Sequence, residues 1–413
     1  MLLSYRLGIF LYKLLLVLVS PFHAKAQKAI YQRKKSIKDL YQQLEYEDTA
    51  VVWFHASSLG EFEQGLPVME AYKAQHSSVK ILVTFFSPSG YELRKDHAIA
   101  DYAAYLPWDS PTNAKTLVNK INLKAVFFIK YEYWYYHLKV IKDNHIPLYS
   151  ISALFVPKHP FFKWYGGVNR RMLKFFDHIF VQNESSLELL KTIGIKKASI
   201  AGDTRFDKVS QTIQDAQPIR LIEQFKEDKN LLILGSAWSE DMVVLKSFLN
   251  NLDSSFKVLI APHDISQSNI QKLIKGLKSD PIYFSKGKNG PNSQFMVLDT
   301  IGHLAIAYQY ADLAYIGGAF GDGLHNILEA VAFGAPVVFG DKGLEKFPEA
   351  SELQRMGGAF AVSSTQEASE ILDKLVLNSA YRKRCSDICL NYISMKKGAT
   401  DVIMSYLMRA NER

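Results

Sequence analysis

From residue 50 onward the chain alternates short, nearly continuous apolar runs with amphipathic stretches, and this alternation restricts the fold more than any other feature. VVWFH (Val51 to His55), VKILVTFF (Val79 to Phe86), KAVFFIK (Lys124 to Lys130), Pro147 to Ile151 and His178 to Gln182 have the length of strands. A strand that is apolar on both faces needs cover on both, as in a parallel sheet flanked by helices. Glu61 to Ala74, Asn113 to Ile121 and Glu184 to Ile193 supply that cover, so the pattern implies βαβ units and a Rossmann-like lobe. A second series predicts a second lobe: Leu231 to Gly235, Lys257 to Ala261, Phe295 to Leu298, Leu313 to Gly317, Pro336 to Gly340 and Ala359 to Val362. Between the two, Asp207 to Asp228 lacks a strand pattern and reads as linker plus helix. The expected division is an N-terminal anchor and basic flank over 1–40, a first lobe over 41–210, and a second lobe over 211–413 that includes closing C-terminal helices. Doubly wound lobes bind ligands at the carboxyl ends of their strands, so a central cleft faced by both lobes is the expected site. Glycosyltransferases, sugar-nucleotide epimerases and solute-binding proteins all use such an architecture.

At 413 residues the chain exceeds one ordinary domain, and 48% hydrophobic against 22% charged residues excludes extensive disorder and a polytopic membrane protein. The net charge of +8 is concentrated at one end. Arg6, Lys13, Lys25, Lys28, Arg33, Lys34, Lys35 and Lys38 face only Asp39 in the first 39 residues, and the remainder is nearly neutral. No basic stripe interleaved with aromatics runs through the body, so nucleic acid is not an expected partner. The basic end also carries the apolar run Leu7 to Val19 (LGIFLYKLLLVLV). One reading is a secretory signal cleaved after Ala24-Lys25-Ala26, and another is a core helix. The heavier charge beyond the run favours a retained anchor on the cytoplasmic side of a membrane. The run is shorter than the ~20 residues of a span, so an interfacial helix backed by Lys and Arg on anionic lipid fits at least as well. An anionic membrane surface is thus an expected partner. Cys385 and Cys389 have no Cys or His at metal-ligand spacing and read as structural thiols, and neither metal nor cofactor is expected.

Three segments carry candidate chemistry. In DLAYIGGAFGDGLHNILEAVAFGAPVVFG (Asp312 to Gly340), a strand ends at Gly317-Gly318, Gly321 and Gly323 form a loop, and a helix is expected from His325-Asn326. Loop amides at a helix start would cradle a phosphate. Glu329 would share a helical face with His325 and accept from a ribose diol, although a glycine turn, an Asn326 cap and a solvated Glu329 would give the same pattern. In FHASSLGE (Phe54 to Glu61), Ser58 and Glu61 make an S-x-x-E capping box. Glu61 alternatively acts as a general base at the carboxyl edge of the first strand, with Gly60 permitting close approach of a substrate. In KYEYWYY (Lys130 to Tyr136), Glu132 follows a buried strand among aromatics and reads as a second carboxylate or as an ion-pair partner. Ser236 in GSAW and His263 in APHD follow strands of the second lobe, where ligand contacts are usual.

These segments, in this order, resemble the 3-deoxy-D-manno-octulosonic acid (Kdo) transferases that act on the lipid A precursor. The resemblance is carried by HASSLGE, VTFFSPSG, LPWD (Leu106 to Asp109), Glu132-Tyr133-Trp134, GDTRFD (Gly202 to Asp207), GSAWSE (Gly235 to Glu240), APHD, LDTIGHL (Leu298 to Leu304) and GGAFGDGLHNILEAVAFGAPVVFG. It implies a GT-B fold and inverting transfer from CMP-Kdo to the 6'-hydroxyl of the lipid A precursor (lipid IVA). It also implies no metal requirement and a location at the cytoplasmic face of the bacterial inner membrane. Glu61 matches the general base, and Glu132, with Ser58 and Gly60, lies on the acceptor side. Ser236, His263, Gly317, Gly318, His325, Asn326 and Glu329 match the donor side. The chain departs from the family at Lys130 to Tyr135, where Glu-Thr-Glu-Leu-Trp-Pro is usual, at Trp238, where His is common, and at Pro262-His263-Asp264, where Pro-Arg-His is common.

Overall fold

The computed structural model describes residues 2–45, 48–130, 132–287, 293–321 and 323–411. They form two compact units, residues 1–208 with 397–413 and residues 209–396. The first unit holds strands β1 (Val51–Ala56), β2 (Lys80–Phe85), β3 (Tyr102–Tyr105), β4 (Leu123–Ile129), β5 (Leu148–Ala153), β6 (His178–Val181) and β7 (Ala198–Ile200). They pair in parallel in the order β3-β2-β1-β4-β5-β6-β7. The second holds β8 (Asn230–Ala237), β9 (Phe256–Pro262), β10 (Ile282–Tyr283), β11 (Phe295–Val297), β12 (Leu313–Ile316), β13 (Val337–Gly340) and β14 (Ala359–Val362), ordered β10-β11-β9-β8-β12-β13-β14. Strand order reverses between β1 and β4 in one sheet and between β8 and β12 in the other. At these points the crossovers leave toward opposite edges, and the loops beyond the strands part.

Both sheets are apolar on both faces, as expected. In the first unit Trp53, Val126 and Phe128 pack to one side, while Phe54, Phe127 and Phe62 pack to the other. Helix α3 (Leu59–Gln75) lies on the second side, where a side chain at Gly65 would collide with Ile129. The helix Ala399–Asn411 buries Ile403, Met404 and Leu407 in that same core. The chain therefore returns to the first unit at its end, instead of closing the second lobe as its position in sequence suggests. The return is pinned by Asp207, whose carboxylate accepts from the Gly398 amide at 2.6 Å and from the Thr400 amide and hydroxyl at 2.7 Å.

The N-terminal segment is a helical hairpin of α1 (Leu2–Val19) and α2 (Ala24–Gln43). No described residue of α1 is buried, and it is the one described helix long and apolar enough to cross a membrane. It is also docked on the first unit. Tyr5 donates to Asp109 at 2.6 Å, and the Tyr12 ring lies against Phe86 and Trp108 with centroids 6.1 Å apart. The basic flank differs from the expected lipid-facing segment. α2 packs into the unit through Ala29, Arg33, Ser36 and Leu40, and Arg33 is only 2% exposed. Its guanidinium donates to the carbonyls of Leu106, Phe86 and Ala29 and lies between Phe86 and Trp108, 4.7 and 4.3 Å from their ring centroids. Lys34, Lys35 and Lys38 remain exposed.

Asp109, at the end of LPWD, joins these parts. It accepts from His137 Nδ1 at 2.6 Å, from the Tyr136 and His137 amides at 3.0 Å, and from Tyr5. Burial raises its pKa, but the hydrogen bonds outweigh this and hold the carboxyl below its usual range. Replacing Asp109 with Ala orphans two buried amides and a buried imidazole. We expect Asp109→Ala to lower unfolding free energy by about 3 kcal/mol, measured by denaturant titration of the full chain.

Candidate functional site

The candidate residues of the first unit meet at its strand-order reversal. Glu61 comes from the loop and helix start after β1, and Glu132 from the loop after β4. Ser58 precedes α3 as its N-cap, but its hydroxyl makes no cap hydrogen bond among the described residues, so the anticipated capping box does not form. Glu61 instead reaches back to the Ser57 amide at 2.5 Å, which folds its carboxylate over the end of β1. Gly60 is exposed, and a side chain there would meet nothing of the protein within 4 Å. The β4 loop is fixed by Lys130, which takes φ +61. Its carbonyl accepts from Tyr133 Oη at 2.8 Å and Ser150 Oγ at 3.1 Å. That turn brings Glu132 near Glu61.

The two carboxyls are both raised, and the charge of Glu61 acts on Glu132. Burial pushes Glu61 up to about 7, against the Ser57 hydrogen bond and the Lys130 charge that pull it down. Burial and then the Glu61 charge push Glu132 up to about 8, with buried Arg33 opposing. A carboxyl raised toward neutral pH is suited to taking a proton from a hydroxyl. The charge of Lys130 thus acts on Glu61 and that of Arg33 on Glu132, while the Glu61 charge reaches Glu132.

The donor-side candidates gather in the second unit, again at the reversal. Ser236 lies inside β8 at φ +51, a conformation costly for a side chain bearing Cβ, and β8 shifts register there. Gly317 and Gly318 follow β12. A side chain on Gly317 would collide with the Ser236 carbonyl and Asp241, and one on Gly318, at φ +97, with the Gly323 carbonyl and His325. The loop spends its amides internally. Gly318 donates to Asp241 at 3.0 Å, and Gly321 and Gly323 donate to the Gly318 carbonyl at 2.9 and 3.0 Å. These glycine amides are therefore not the open phosphate cradle that the sequence suggests.

The helix also starts later than expected, at Leu328, and runs five residues to Ala332. His325 and Asn326 precede it, so His325 and Glu329 do not share a helical face. Asn326 links the segments instead, accepting from the Leu328 amide at 3.1 Å and donating to Glu329 at 3.0 Å. His263, His325 and Trp238 form one aromatic cluster. The Trp238 and His263 rings stack at 4.2 Å, His263 lies 4.7 Å from His325, and Trp238 Nε1 donates to His325 Nε2 at 3.0 Å. An indole only donates, so His325 Nε2 accepts and its proton is on Nδ1. Burial and the nearby His263 lower His325 to about 4, which keeps it neutral.

Sequence reasoning missed three contributors. Trp238 stands out in the sequence only as a departure, yet the rings of both histidines lie against it. Asp241 ties β8 to the glycine loop, accepting from the Trp238 and Gly318 amides and the Tyr315 hydroxyl. Arg33 acts on Glu132 from a helix assigned to the anchor. The signal for Asp241 was its place three residues after Trp238 at a helix start. Among the described residues no three His, Cys, Asp or Glu side chains gather as a metal site.

The raised carboxyls carry a stability cost with a definite sign. A group whose folded pKa exceeds its unfolded value stabilises below the unfolded value and loses that contribution as pH rises through the folded one. Glu132→Gln should therefore stabilise the protein by about 1 kcal/mol or more at pH 9 relative to its effect at pH 5, measured as unfolding free energy at the two pH values.

Solved structures of low sequence identity share the fold. A UDP-GlcNAc 2-epimerase from Neisseria meningitidis bound to UDP-GlcNAc superposes with a TM-score of 0.64 at 16% identity, over 87% of this chain and 99% of that one. MurG from Acinetobacter baumannii gives 0.55 at 13% identity, over 87% and 99%. With the two doubly wound units, these likenesses define a GT-B architecture. Curated relatives are closer in sequence. The 3-deoxy-D-manno-octulosonic acid transferase of Aquifex aeolicus is 26% identical over 333 residues, 79% of this chain and 86% of its own. That of Haemophilus influenzae is 25% identical over 378 residues, 88% of this chain and 87% of its own. Residues 28–208 match the family described as 3-Deoxy-D-manno-octulosonic-acid transferase (kdotransferase), and with such relatives along most of its length the chain is a glycosyltransferase similar to these Kdo transferases.

Proposed function

We propose that the protein transfers Kdo from CMP-Kdo to the 6'-hydroxyl of the lipid A precursor, with inversion, as a step of lipopolysaccharide biosynthesis. The observation that carries this reading is Glu61, a half-buried carboxyl pushed up to about 7 and held over the end of β1 in a chain similar to Kdo transferases. Glu61 takes the proton of the attacking glucosamine hydroxyl as its oxygen bonds to the anomeric carbon and the bond to the CMP phosphate breaks. Glu132, pushed up further than Glu61, keeps its proton and leaves Glu61 as the base. On the donor side, the Nδ1–H of His325 offers a hydrogen bond to the CMP phosphate. Asn326 and Glu329 suit the ribose, and Ser236 with Gly317 and Gly318 fixes the loop close to the nucleotide. The five-residue helix beyond Asn326 has too few aligned peptides for a strong dipole, so the phosphate contact rests on side chains more than on the helix end.

The N-terminal hairpin supports work at a membrane. α1 exposes Leu3, Leu7, Phe10, Leu11 and Leu18 on the side away from Tyr5 and Tyr12, which touch the protein. A helix docked along one side and apolar on the other suits the interfacial plane, at the cytoplasmic face of the inner membrane where the acceptor lipid lies.

Glu61→Ala should lower transfer from CMP-Kdo by about 100-fold or more while the protein stays folded. Glu329→Ala should chiefly raise the Kd for CMP-Kdo. Radiometric transfer assays with CMP-Kdo and a panel of UDP-sugars check both the residues and the donor; turnover with a UDP-sugar alone contradicts the reading.

A further inference from the structure

We propose that the α1–α2 hairpin forms a binding cavity for an acyl chain of the glycolipid acceptor; the choice of that lipid rests on the Kdo transferase reading above. A cavity of about 400 Å³ opens between the hairpin and the first unit, with walls from Tyr12, Leu16, Val19, Ala29, Phe86 and Pro88. Its polar lining is His23, Ser87 and Arg33, and the Arg33 guanidinium is turned to the carbonyls of Leu106, Phe86 and Ala29. Arg33 also borders a second cavity of about 400 Å³ whose rim carries Lys13 and Lys34. The walls of the first cavity thus offer mostly carbon, with no ladder of donors and acceptors for a peptide, and the neighbouring cavity across Arg33 offers cations for a lipid phosphate.

Two observations place this cavity beside the carboxyl pair instead of leaving it a surface groove. Ser87, in its wall, donates its amide to the Ser57 carbonyl at 2.8 Å, and the Ser57 amide holds Glu61. Phe86 stacks on Trp134 at 4.8 Å, two residues from Glu132. An acyl chain in the cavity therefore fixes the attached sugar near the proton-accepting carboxyl. The opposite side of α1 exposes Leu7, Leu11 and Leu18, a face suited to hydrocarbon, so the helix that walls the cavity also lies where acyl chains are at hand. Immobilising the acceptor by its chain cuts the entropy of aligning its hydroxyl.

The test is photolabelling of the full chain with a phosphorylated glucosamine disaccharide whose acyl chains carry diazirines. Phosphatidylglycerol with the same diazirine chain is the comparison, and adducts are mapped by peptide mass spectrometry. The glycolipid is expected to label Leu16, Val19, Ala29 or Phe86, and excess unlabelled glycolipid to remove that label, while phosphatidylglycerol labels Leu7, Leu11 and Leu18. Leu16→Trp, which fills the cavity from an exposed helix, is expected to abolish the cavity label. It should also raise KM for the acylated acceptor at least about 10-fold more than for its deacylated form, the scale of two buried methylenes. Glycolipid label confined to the outward residues, or cavity label given equally by phosphatidylglycerol and not competed by glycolipid, overturns the proposal. Competed cavity label in a protein that transfers no Kdo keeps the cavity as a glycolipid site and removes the functional reading instead.

Discussion

The reversal of strand order in each sheet is the constraint on which everything else depends. Parallel strands need crossovers, and where successive crossovers run to opposite edges the loops beyond two adjacent strands must part. The first sheet places Glu61 beyond β1 and Glu132 beyond β4. The second places Trp238 beyond β8 and the glycine loop with His325 beyond β12. The same edges hold the backbone under strain. Lys130, Ser152 and Ser236 all take positive φ at strand ends, though none is glycine. Such conformations persist because the packed strands behind them leave the chain no other course.

What this edge does chemically follows from burial. A carboxyl excluded from water is a stronger base than one in solvent, and a second carboxyl beside it prevents both from ionising together. The cation nearest in sequence, Lys130, opposes only Glu61, and the buried cation, Arg33, gives its donors to backbone carbonyls. Neither neutralises the pair outright, so stability is given up for basicity near neutral pH. In the second unit the logic is neutral: Trp238 and His263 shape a histidine that stays uncharged and keeps one donor free of the Trp238 bond.

Much of the fold was legible because apolar runs such as VVWFH and KAVFFIK have one physical solution, a strand covered on both faces. Strands β3, β7 and β10 escaped that reading because two to four residues carry too little periodicity, and in β3 the pattern is interrupted by small residues. Arg33 was counted with the charges meant for lipid, since nothing local says that a basic residue will be caged between Phe86 and Trp108. The final helix was assigned to the nearer lobe in sequence, and its attachment through Asp207 is a contact across 191 residues. In the candidate site, residue identities were legible from motifs, but partners were not. S-x-x-E suggested a cap and the structure uses Glu61 on Ser57. HNILE suggested a helix start, and Asn326 delays it to Leu328. The pairing of Glu61 with Glu132 depends on the positive φ of Lys130, which no local pattern announces.

The central claim is that Glu61, raised by burial, is the group that takes the acceptor's proton. The most direct measurement is the pH dependence of kcat/KM for Kdo transfer, which reports ionisations of the free enzyme. The account predicts an acid limb with a midpoint near pH 7, because the basic form of Glu61 appears only as pH rises through that value. A limb in the ordinary carboxylate range near pH 4.5, or a profile flat from pH 5 to 8, would contradict it.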